Sequence, residues 1–321
     1  MTDEDPLDAP AETAVGQCLG LAPDESFVVA TDEKREAIGE ALYAAGRAVT
    51  DDATLVRYPP GDQHGEEPPA PVAAALGAAD AFLAPTTKSL SHTRARSDAT
   101  EAGGRGATLP GITEDVFVTG LAADYEAIAA ECEAMLEQVG DAEAIRVTSP
   151  EGTDVTFEPG DRDWHADTGI VHEPGDFSNL PAGEVFVSPE TADGTYVVDG
   201  TISPHGLLDP GQSVEISVED GRVTDISDPA VRELVETAAE EAGDAAYNLA
   251  ELGIGTNTAV TELVGSILLD EKAGGTVHVA IGDDAGIGGE TEAPIHEDGV
   301  IRNPTVYADG VEVELPRVER R

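Results

Sequence analysis

SFVVATDEKREAIGEALYAAGRAVTDDATLVRY, residues 26–58, sets the fold class. SFVVAT is a short apolar run that reads as a strand, and ATLVRY at 53–58 reads as a second. Between them Ile38, Leu42, Tyr43 and Ala45 fall on one stripe of a helix. The rhythm continues downstream, where PPGDQHGEEPPAP is a loop and PVAAALGAADAFLAP is a short helix leading into a third strand. Strands alternating with helices predict a small parallel sheet covered by helices. An amphipathic helix is expected from about Ala122 to Gln138, with Ile128, Met135 and Leu136 among its apolar positions.

After about residue 145 the texture changes. IRVTSPEGTDVTFEP reads as a hairpin, and EVFVSP, GTYVVDGTI, SVEISVEDGRVTDI and TVYADGVEVEL alternate in the manner of strands with Gly or Asp-Gly turns. Two helices are expected among them, at about Pro229–Leu249 and Thr258–Lys272. The predicted organisation is an α/β domain over residues 1–141 and an α+β domain over 142–321. The second has a largely antiparallel sheet that carries the candidate metal site. No internal repeat stands out.

The chain has 321 residues with 65 Asp plus Glu, 17 Lys plus Arg and a net charge of −48. Such a surface repels phosphates and anionic headgroups, which argues against nucleic-acid and membrane partners. A hydrophobic content of 40%, spread through the chain, argues against disorder. The acidity therefore reads as a solvated shell whose self-repulsion molar salt would screen, as in a salt-loving cytoplasm. Only three lysines occur, Lys34, Lys88 and Lys272. Cys18 and Cys132 are too few for a disulfide framework or a four-cysteine zinc site. No apolar run approaches the roughly 20 residues of a membrane span. MTDEDPLDAP is acidic and unlike a signal peptide, so a soluble, cytoplasmic protein is expected.

With so many carboxylates, the seven histidines carry more information. In GTVHVAIG, His278, Ala280 and Gly282 share one face of a strand, while Val277, Val279 and Ile281 share the other. The first face leaves room beside an imidazole. In PIHEDG, His296 and Asp298 are two residues apart, so an extended segment presents both to one ion. Two acids have unusual neighbours. Glu184 in NLPAGEVFVSP enters an apolar strand, and Glu251 in NLAELGIGTN has uncharged flanks and glycines. Metal ligation would offset the desolvation of such carboxylates.

NLPAGEVF, AELGIGTN, the strand histidine and the His-x-Asp pair, in that order, resemble the thermophilic-type metallo-aminopeptidases, the aminopeptidase T family. The resemblance is clearest over roughly residues 175–310. It implies a two-metal ligand set of Glu184, Glu251, His278, His296 and Asp298, with Zn, Co or Mn as the two ions per chain. It also implies a homodimer and release of N-terminal residues from peptides by a metal-activated water, with Glu184 or Glu251 as bridge or proton shuttle. His92, Arg94 and Arg96, from the most basic stretch of the chain, would then stabilise an oxyanion. The family's metal-site tyrosine is missing, since GDDAGIGGE follows the strand histidine. The shortened form also looks like the dihydroxypyridine ring-cleaving dioxygenases on the same scaffold. There His278, His296 and Asp298 would hold one Fe(II), and Glu184 and Glu251 would support those ligands or touch substrate. A non-catalytic relative is the third alternative.

Overall fold

The computed structural model describes residues 5–318. The chain divides into two compact units. One holds the residues through Ala129 together with Thr168–Ala182, and the other holds Ala130–Asp167 and the chain from Gly183 onward. The chain thus passes between units at three points, rather than once near residue 142.

The first unit is the expected α/β layer. Its five strands run in the order Ala53–Tyr58, Phe27–Asp32, Ala81–Thr86, Arg105–Pro110, Phe177–Asn179, all parallel. Phe27–Asp32 and Ala81–Thr86 are buried along their whole length, as expected of central strands covered on both faces. The helix Glu36–Val49 buries Ile38, Gly39, Leu42 and Gly46. A Cβ at Gly46 would overlap the Phe27 ring, so this glycine sets how closely helix and sheet approach. On the opposite face Val28, Ala30, Phe82 and Ala84 pack with Val72, Leu76, Leu90 and Ala99. The fifth strand comes from the returning segment, with Gly106 beside Phe177 and Thr108 beside Asn179.

The basic stretch folds into this unit. Thr93 caps the helix Arg94–Glu101 by accepting the Arg96 backbone N–H. Arg94 pairs with Glu67, and Arg96 donates to the Ser91 carbonyl and lies 4.3 Å over the Phe177 ring. Arg105 makes a two-pronged pair with Glu25, at 2.6 and 2.8 Å.

The second unit contains two antiparallel sheets of seven strands each. One begins with the predicted hairpin, Ile145–Thr148 against Asp154–Glu158, and extends on either side. Its Asp220-Gly221 and Asp309-Gly310 turns place both residues at positive φ, 49° and 72° in the first and 49° and 81° in the second. This is the two-residue geometry that matches strand twist. The other sheet runs in the order Gly206–Leu207, Thr201–Ile202, His296–Ile301, Val277–Gly282, Leu249–Gly255, Glu184–Val187, His165–Asp167. The two sheets meet where Gly299 faces Val198, at a spot where a Cβ would collide with the valine.

One expected helix is mostly absent. Over Thr258–Lys272 only Ile267–Asp270 is helical. The Asp270 carboxylate accepts N–H bonds from Val264 and Gly265 and the Thr201 hydroxyl, and Gly265 has φ +81°. The apolar spacing that mimics a helix belongs instead to a turn wrapped around a buried carboxylate. The helix from Pro229 ends at Ala242, where Gly243 takes φ +60°. Among the described residues, no helix is long and apolar enough to cross a membrane.

Candidate metal centre

The centre lies on one face of the second sheet, and strand parity puts it there. Val277, Val279 and Ile281 are buried on the opposite face. Facing pairs across an antiparallel ladder share a side, so Gly282 beside His296 and Ala280 beside Asp298 give those two side chains small neighbours. Glu251 reaches this face only through a bulge. Leu249 pairs with Ile281, but Glu251 pairs with Ala280, so one extra residue is accommodated between them. In regular register Glu251 would oppose Val279 and point to the apolar side. Gly253 then opposes His278, and a Cβ there would overlap the imidazole. Glu184 opposes Gly255 on the same face.

The five expected residues are thereby brought together. His278 Nε2 lies 3.2 Å from Glu184 Oε2 and 3.2 Å from Glu251 Oε1. His296 Nε2 lies 3.4 Å from Glu251 Oε2 and 3.6 Å from Asp298 Oδ1. Two groupings result, Glu184–Glu251–His278 and Glu251–His296–Asp298, each with ligand atoms within 4.8 Å of one another. Glu251 belongs to both. Four of the five residues are buried, and His296, with its side chain 34% exposed, is the open corner.

The donor set suits a divalent metal ion. His296 Nδ1 donates to the Asp283 carbonyl at 2.7 Å, which leaves the Nε2 lone pair facing the carboxylates when the ring is neutral. Glu184 Oε2 is buried without a hydrogen-bond partner. Burial by itself would lower the His278 pKa, but the Glu251 hydrogen bond and the surrounding carboxylates push it up to about 9. Burial opposes charge on His296 too, and Asp298 and Glu251 raise it well above the usual range. Burial raises Glu184, whereas the two imidazoles outweigh burial at Glu251 and lower it.

Two neighbours escape sequence reading. Lys272 is buried and its Nζ pairs with Glu184 Oε1, and also with Glu271 Oε1 at 2.7 Å. Its rarity as a residue type was the available signal. Asp284 anchors the glycine-rich loop after the strand histidine. It accepts from Thr291 N, Ser188 Oγ and Asn248 Nδ2. His165 stacks on Phe186, with ring centroids 5.4 Å apart, at the sheet edge.

The family model described as NicX, 2,5-dihydroxypyridine 5,6-dioxygenase, matches residues 17–315, and the chain belongs to that family. No match was found among curated proteins. Among solved structures, the 2,5-dihydroxypyridine dioxygenase from Pseudomonas putida KT2440 is similar at TM-score 0.78 and 20% identity, covering 97% of this chain and 95% of that one. Wild-type AmpT from Thermus thermophilus is similar at TM-score 0.66 and 19% identity, covering 98% of each chain. Both likenesses describe the fold. The family match corrects the leading expectation from sequence: the chain is placed with oxidoreductases, and the aminopeptidase, protease and hydrolase reading is set aside. A shared fold does not by itself fix the chemistry.

Proposed function

We propose that this protein is a mononuclear Fe(II) dioxygenase that opens the ring of a dihydroxypyridine or a closely related hydroxylated aromatic. The family match over residues 17–315 carries the reading, and the clustering of acids and histidines around Glu251 supports a metal centre in this sheet. His278, His296 and Asp298 would hold the iron, a set of two imidazoles and one carboxylate of the kind non-haem iron uses. When bound, the iron supplies the means of bringing O₂ and the ring diol together in reactive form.

The chain's own residues supply positioning and proton handling. The Asp283 carbonyl fixes the His296 tautomer. Glu251 touches both imidazoles and holds them at a fixed spacing. Glu184 lies beside His278 on one oxygen and takes the Lys272 ammonium on the other, which holds a buried carboxylate next to the proposed iron ligands. The exposed edge of His296 gives solutes a way in.

The test is metal content and oxygen uptake on protein purified in high KCl and loaded anaerobically with Fe(II). One iron per chain and one O₂ consumed per 2,5-dihydroxypyridine are expected. His296→Ala and Asp298→Ala should each lower iron occupancy at least tenfold. A folded, iron-loaded sample that consumes no oxygen with hydroxylated pyridines or benzenes would falsify the reading.

A further inference from the structure

The ligand set is larger than one iron needs. Its two groupings share Glu251, and each offers three donors, so ligand count alone permits two bridged ions. Lys272 changes this. It is the buried member of the three lysines. Its ammonium pairs with Glu184 Oε1 and with Glu271, both from within the second unit. It does not pair with Glu251, His296 or Asp298.

The ammonium is also fixed in place. The Lys272 carbonyl accepts the Asn257 N–H at 2.9 Å, and Gly275 N–H donates to the Gly255 carbonyl at 3.1 Å, at the end of the strand that carries Glu251. Gly255 lets this segment close in, because a Cβ there would overlap the Ala273 carbonyl. The side chain, 6% exposed, cannot swing its charge into water. A divalent ion bound by Glu184, Glu251 and His278 would share Glu184 with this held positive charge, in surroundings where little water screens the repulsion.

We infer that Lys272 is a built-in cation that takes the place of a second metal ion at Glu184 and so limits a two-ion ligand set to one ion. The inference rests on the one-iron reading above and explains it by a single side chain. The iron set of the reading above, His278, His296 and Asp298, keeps its affinity because none of the three is paired to the ammonium.

The experiment counts zinc, a redox-silent probe, in chelator-stripped and reloaded protein by mass spectrometry and calorimetry. Wild type and Lys272→Arg should bind one ion. Lys272→Met should bind two, the second at least 100-fold tighter than any second ion in wild type. If Lys272→Met does not fold without metal, the double variant Lys272→Met/Glu271→Gln, which removes the carboxylate left unpaired, carries the same test. A variant that folds only on zinc addition and then holds two ions also supports the inference. One ion in folded Lys272→Met or the double variant, with iron-dependent oxygen uptake intact in wild type, overturns the inference alone. Two ions in wild type overturn both the inference and the one-iron reading.

Discussion

His278 and Glu271 govern how the metal-free centre responds to pH near neutrality. His278 is raised to about 9 against an ordinary 6.5, through Glu251 and nearby carboxylates that outweigh burial. A raised histidine contributes stability that is complete below about 6.5 and is lost as pH rises through about 9. Burial raises Glu271 to about 8, so the folded protein retains a proton that the unfolded chain has already lost. That contribution also grows less favourable as pH climbs towards 8. Chelator-treated protein should therefore lose stability steadily from pH 6.5 to 9. Metal affinity should move the other way, by roughly tenfold per pH unit where one imidazole proton is displaced. Urea titrations and calorimetry at pH 6.5, 8 and 9.5 check both slopes, and slopes of the same sign would contradict this assignment of charge. At this scale sequence legibility was uneven. The rare histidines and the apolar flanks of Glu184 and Glu251 marked the five residues. Lys272 was hidden because DEKAGG reads as the exposed end of an amphipathic helix.

At the scale of elements, the alternation of GTVHVAIG was enough to assign His278 to one face, and the small residues beside it matched the room its neighbours need. The bulge before Glu251 was not legible, because an extra residue in one strand shows only in the pairing with its partner. Gly253 is the residue on which this part of the sheet depends most. Gly253→Ala would drive a methyl into the imidazole of His278. The expected result is a loss of about 1–3 kcal/mol in stability from overpacking. Metal affinity should fall 10- to 100-fold as the ligand is displaced. Differential scanning fluorimetry and metal titration would measure the two effects, and wild-type affinity in this variant would show that His278 is not a ligand. The lost helix over Thr258–Lys272 teaches a related lesson, since Asp270 accepts hydrogen bonds from a turn that periodicity counts as helical.

For the molecule as a whole, the charge of −48 is a statement about solvent. Among the described residues the large hydrophobic side chains exposed to solvent are Leu207, Val264 and Val311. Surface pairs such as Arg146–Asp154 contribute little each, so screening of like charges dominates the response to salt. Raising KCl from 0.1 to 2 M should lift the unfolding midpoint by about 5 °C or more, corresponding to roughly 2 kcal/mol. A midpoint that stays flat or falls would mean that the acidic shell is not under strain. The α/β and antiparallel layers were legible as rhythm. The return of Thr168–Ala182 to the first unit was not, because a strand of three residues, Phe177–Asn179, carries no periodic signal.

That returning strand has a consequence for how the protein is made and inherited. On the ribosome, the fifth strand of the parallel sheet emerges only after the hairpin at Ile145–Glu158 and the strand His165–Asp167 of the other unit have been synthesised. The first unit therefore cannot finish its sheet before part of the second has left the exit tunnel. A recombination breakpoint anywhere between the units would carry off either that strand or the strands threaded ahead of it. Shuffling of single units has no clean seam here.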